Sequence, residues 1–293
     1  MVLESLMKAK LAEKRPWDVF YLGILYASVA IFLSLWIFRD QTSLVMVFLT
    51  VMAAVPFMYR IIVYEEKKDN KYKTESRLLK EHSKALIALM FLFLGMTVSF
   101  TAWYIFLPNN MVESVFNTQI STIKMINSKV LSVSLNSHAI NTSFADPSTV
   151  FTQIFNNNLK VLLFCIFFSF FFGAGAIFIL TWNASVIATA IGTFIRNSLS
   201  ETASLVGLPK VAAYFHIFSI GFLRYAIHGV PEILGYFIGA LAGGIISVAV
   251  IKHDFGTQSF RRIIYDSLDL VLIAIFVLFI AAFLEVFVTP IFF

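Results

Sequence analysis

The chain has 293 residues, 59% of them hydrophobic and only 13% charged, with a mean hydropathy of +0.85 and a net charge of +5. A soluble domain is nearer ~45–50% apolar and ~25% charged. The composition therefore excludes a soluble globular enzyme and points to an all-α, polytopic membrane protein. The single cysteine, Cys165, lies in an apolar run, cannot form an internal disulfide and reads as a small buried hydrophobe.

In chain order, residues 1–18 carry Lys8, Lys10, Lys14 and Arg15 and read as a short amphipathic lead. No cleavable signal peptide is expected, because the first apolar run is too long for one. The first span is Val19–Phe38, about the ~20 residues a bilayer requires. A polar turn at 39–43 leads to a second span, Leu44–Val63, in which Pro56 predicts a kink. The segment 64–84 is the most charged and reads as a solvated helical loop that sets topology. Ala85–Leu107 is the third span.

Met111–Asn158 is the one long polar segment. Val112, Val115, Phe116, Ile120 and Ile123 fall on one helical face, and Val150, Phe151, Ile154 and Phe155 make a second stripe. Between them, Asp146-Pro147 reads as an N-cap followed by proline at the first helical position. These features predict a small extracytoplasmic cap, 108–158, with two amphipathic helices. Leu159–Trp182 is the fourth span. Ala184–Ile195 is too short to cross and reads as a re-entrant or interfacial helix. Val211–Ile227 and Pro231–Ile251 are two further spans joined by a hairpin at 228–231, and Leu268–Val288 is the last. The expectation is six to seven membrane segments. They divide into an N-terminal two-span hairpin with its basic loop, 1–84, and a membrane domain, 85–293.

Basic residues orient such a chain, because cytoplasmic loops are enriched in them. Four lie in the N-terminal lead, seven in 64–84 and three in 252–266, against one in 39–43 and two in 108–158. This predicts a multi-pass protein of the plasma membrane with a cytoplasmic N-terminus and an outer cap. His228, Glu232 and Glu285 then fall at similar depth near the outer leaflet, with Arg224 one turn deeper. Ionisable side chains at such depth are functional-site candidates, and carboxylates there need a cation or a proton. Arg224 and His228 are the cations their spacing offers. The cluster reads as a salt-bridged lock, a metal site, a proton-coupled substrate site or a docking point. His216, three turns along the same helix, is a further metal-ligand candidate, although the HExxH spacing is absent. Gly235, Gly239 and Gly243, four apart, predict a face for close helix packing. Asn183 reads as a cap of the short helix or as a core-lining residue. Asn158, at the other end of the fourth span, reads as an interfacial cap or as core-lining.

These residues carry a family resemblance. Asn157-Asn158 precedes a span bearing Gly173, Asn183 follows it, His228-Gly229 is followed by Glu232 in HGVPE, and a glycine-rich helix comes next. Ala281-Ala282, Glu285 and Thr289-Pro290 close the pattern. In combination this resembles the stage II sporulation protein M family of integral membrane proteins, over about residues 111–290. The resemblance implies a helical membrane protein that transfers no catalytic residue. In sporulating bacteria it implies a membrane anchor for peptidoglycan-cleaving partners.

The leading expectation is a non-enzymatic membrane scaffold or assembly factor, recruiting protein partners at the outer face. One alternative is a transporter or channel-like permease using the 184–195 helix and the His228/Glu232/Glu285 cluster. Another is an intramembrane metallohydrolase. No P-loop is present and no cofactor is expected. The bilayer, protein partners and further copies of the chain are the expected partners, and nucleic acid is not among them.

Overall fold

A computed structural model describes residues 7–71, 75–126, 147–172, 174–202, 204, 207–252 and 257–292. The 127–146 part of the expected cap and Gly173 lie outside the described residues. The described chain is helical throughout, without strands. Helix α1 is Ala9–Lys14, α2 Pro16–Ile37, α3 Thr42–Lys71, α4 Glu75–Phe106 and α5 Asn109–Val115. A further helix, α6, runs through 117–126. Then follow α7 Pro147–Phe172, α8 Ala176–Glu201, α9 Leu208–Ile251 and α10 Gln258–Phe283. A π-helical turn, Leu284–Val288, joins α10 to α11, Thr289–Phe292. Seven of these stretches are long and apolar enough to cross a membrane. The protein is an all-α polytopic membrane protein.

Three sequence expectations change. The short re-entrant helix 184–195 is part of α8, a full 26-residue helix. The break falls earlier, where Phe172 ends α7 and Ala176 begins α8. Asn183 does not stop the helix because its Nδ2 donates to the Ile179 carbonyl at 2.9 Å, one turn back. The hairpin expected at 228–231 is instead the interior of α9, a continuous 44-residue helix containing Pro231. Proline removes one backbone hydrogen bond from a helix; here packing on both sides of it carries the helix through. At ~1.5 Å per residue α9 is about 66 Å long, roughly twice the ~30 Å hydrocarbon core. Finally, the second cap stripe is the start of α7 itself. Phe151 and Phe155 pack on Phe279, with ring centroids 5.2 and 5.9 Å apart, so the stripe faces α10.

The bundle has two chemically distinct ends. At one, α1, α3, α4 and α9 meet in a buried charge network. Lys68 Nζ lies 2.7 Å from Glu13 and 2.8 Å from Glu65, and His82 Nδ1 lies 2.8 Å from the other Glu65 oxygen. Lys252, beyond α9, pairs with Glu66. Glu65, Glu66, Lys68 and His82 are all buried. The segment expected to be a solvated loop is thus in large part helix packed into the molecule. Buried charges persist only when paired, and here acids and bases from four elements compensate one another. We call this the charged end.

At the opposite, cap end, α5 and α6 fold back over the bundle. Val112, Val115 and Phe116 are buried, and Ile120 packs against the core, as their periodicity predicts. Gln119 is fully buried: Ser43 Oγ donates to its Oε1 at 2.8 Å, and its Nε2 donates to Ser185 Oγ at 3.2 Å. Arg196 of α8 donates to the carbonyls of Tyr104 and Leu107 at 2.9 and 3.1 Å and to Asn109. A cation at orphan C-terminal carbonyls suits both hydrogen bonding and the helix dipole, so α8 caps α4 in trans.

Candidate functional site

The helices that carry the site are held by close backbone approach. A Cβ on Gly243 would meet the Ile166 carbonyl oxygen of α7 at 2.6 Å, and one on Gly235 would meet Leu278 of α10 at 2.9 Å. Gly239 lies against Leu162 of α7 in the same way. The three glycines thus bring α7 and α10 against α9, two neighbours rather than one. Small residues allow such contact where lipid supplies no hydrophobic drive between helices.

Above Gly235, α9 carries Glu232 and His228. Tyr236, fully buried and one turn on, donates its hydroxyl to Glu232 Oε1 at 2.8 Å. Glu285 lies in the π-helical turn, which packs against α9. The Thr289 hydroxyl donates to the Leu284 carbonyl at 3.0 Å. Its one proton being committed, it accepts from His228 Nδ1 at 3.3 Å, which places a proton on that nitrogen. Extra-residue π turns recur at functional sites in helices, and this one presents both Glu285 and the Thr289 contact. Glu232, His228 and Glu285 are each only partly covered.

Arg224 does not join them. It is exposed and forms no ion pair among the described residues, so the pairing with Glu232 that its spacing suggests does not form. Neither carboxyl has a basic side chain at ion-pair distance among the described residues. His216 is exposed and outside the cluster. Asn158, on α7 one turn before Leu162, is buried with its Nδ2 unpartnered. Asn183 lies within α8 and is bonded only to its own helix in the interactions above. Cys165 is buried. Among the described residues no group of three His, Cys, Asp or Glu could hold a metal ion.

Sequence reasoning missed Tyr236 and gave Thr289 only as part of the family pattern, not as a partner of His228. Their signal was available as spacing: Tyr236 stands four residues after Glu232, and Thr289 four after Glu285. It also missed Gln119, whose place on the apolar stripe of α5 and α6 marks it only once the neighbouring serines are known.

The arrangement is two carboxyls on two helices, with a tyrosine and a histidine beside them, at the level of the spans. Such a set can take up and release a proton, or share a small cation. No curated protein and no solved structure matches the chain. The family described as Stage II sporulation protein M matches residues 85–290, from within α4 to α11, which includes every residue of the cluster. The chain belongs to the stage II sporulation protein M family.

Proposed function

We propose that the protein is a permease in which the Glu232–Glu285 pair is the exchangeable site for a proton or small cation. One observation carries this reading: Glu232 of α9 and Glu285 of the π turn packed against that helix have no basic side chain at ion-pair distance among the described residues. Ionised carboxylates at membrane depth are costly without a counter-charge. A built-in salt bridge would have made the cluster a lock, but Arg224 points elsewhere. What balances the pair must then come from outside the side chains. Pro231 and the π turn flank the pair, which gives both helices a point where packing can change.

The basic residues gather at the charged end, which supports a cytoplasmic N-terminus and an outer cap in the plasma membrane. On that orientation the pair lies in the outer half of the membrane. The test is ion flux in sealed proteoliposomes under an imposed proton or potassium gradient. Dissipation faster than in empty vesicles, reduced by Glu232→Gln, is the expected result. A gradient held as long as in empty vesicles sinks the permease.

The scaffold reading has its own support in a polar cleft of about 430 Å³ at the cap end, lined by Glu113, Asn117, Lys124 and Asn197 among others. Charges of both signs on an open surface suit a protein partner. Chemical cross-linking in the native membrane tests it. A partner captured through Lys124, and lost in Glu113→Lys, favours recruitment. No specific adduct at the cap leaves the permease reading alone.

A further inference from the structure

A lateral groove of about 220 Å³ lies between α4, α8 and α9, lined by residues of α9 that include neither His228 nor Glu232. Its walls include Met90, Leu94, Ile187, Phe222, Gly229 and Val230. The hydroxyl of Thr97, which also lines it, commits its proton to the Phe93 carbonyl at 2.9 Å, and Tyr225 is the other hydroxyl-bearing residue of the lining. A Cβ at Gly229 would meet nothing within 4 Å, so the glycine leaves real space. Two wall residues, Leu94 at 42% and Val230 at 51% exposure, form an open rim. The groove is therefore continuous with the lipid-facing surface of three spanning helices.

We propose that this groove is a fixed seat for one hydrocarbon chain of a bilayer lipid. Protein interiors are close-packed, and an unfilled void forfeits dispersion contacts along its whole lining. Water does not settle there, because it needs several polar partners and the wall is apolar except for Thr97 and Tyr225. At the level of the spans, the medium at the rim is acyl chain. The chain enters past Leu94 and Val230 and lies against Gly229. In that position it lies along the stretch of α9 that also carries His228, Pro231 and Glu232. The proposal does not rest on the transport reading.

The test uses the full chain in liposomes containing a phospholipid with a photoactivatable diazirine in one acyl chain. Adducts are mapped by mass spectrometry. Leu94 and Val230 should be labelled several-fold more than Phe164 and Phe276, which are 57% and 64% exposed on other lipid-facing flanks. Gly229→Leu should fill the groove and abolish that excess without lowering the melting temperature, while Phe164 labelling stays the same. If Gly229→Leu does not fold, Val230→Trp blocks the rim and should give the same loss. Equal labelling at all four sites shows only ordinary lipid contact and overturns the proposal. So does an excess that survives both variants. A disulfide-linked dimer of Val230→Cys, in a Cys165→Ala background, assigns the groove to a second copy instead.

Discussion

Single side chains decide whether the two buried polar regions are stable or active, and Glu13 shows how. It lies on α1, outside the spans, 2.7 Å from Lys68 and only 6% exposed. Burial, together with the Glu65 carboxyl beside it, pushes its pKa from 4.5 up to about 7, against the opposing pull of Lys68. A carboxyl whose pKa is raised on folding gives stability that is fully present below its unfolded value. That stability is lost as pH rises through the folded value. The Glu13 contribution is therefore present below about 4.5 and lost as pH rises through about 7. Glu13→Gln mimics the protonated form, so the variant should show a flatter dependence of melting temperature on pH across that window. An unchanged slope contradicts the buried position of Glu13.

At the scale of elements, packing is set by where a side chain has no room. Gly243→Ala should force α9 from α7, since Ile166 meets the new Cβ with backbone rather than with a mobile side chain. Overpacking of this kind costs about 1–3 kcal/mol. Gly229→Ala, on the same helix, has open space and removes a glycine from a helix interior, which stabilises by up to ~1 kcal/mol. Melting temperatures in detergent should move in opposite directions. Both falling together would mean that helix propensity and packing are not what separates the two sites. The sequence made the first part of this legible, because four-residue glycine spacing marks a packing face. It did not reveal that α9 is one helix. His228-Gly229-Val230-Pro231 has the composition of a turn, and contacts of α9 with α4, α7, α8 and α10 on either side of it hold it helical. The break at Trp182-Asn183 was misplaced for the converse reason: Asn183 satisfies itself on Ile179, which local composition does not announce.

At the scale of the molecule, charge sorts to the two ends and the carboxyl pair sits between. The charged end was read as solvated because a run of Lys and Glu usually is. Its burial depends on Glu13, Lys68, Glu65 and His82 arriving from separate elements, which spacing along the chain does not show. The proposed orientation rests on the same charges. A cysteine placed at Glu113 should react with an impermeant maleimide added to intact cells, and one at Ser76 should not, with Cys165→Ala as background. The reverse pattern turns the protein over and moves the carboxyl pair to the inner half. The permease claim itself is tested most directly by Glu285→Gln, read for melting temperature and for gradient-driven proton or potassium flux in the same proteoliposomes. An exchangeable site predicts a fold retained or slightly stabilised, because one of two like-charged neighbours is gone, together with loss of flux. A clear drop in melting temperature with flux unchanged would contradict it, and would make the pair a structural contact.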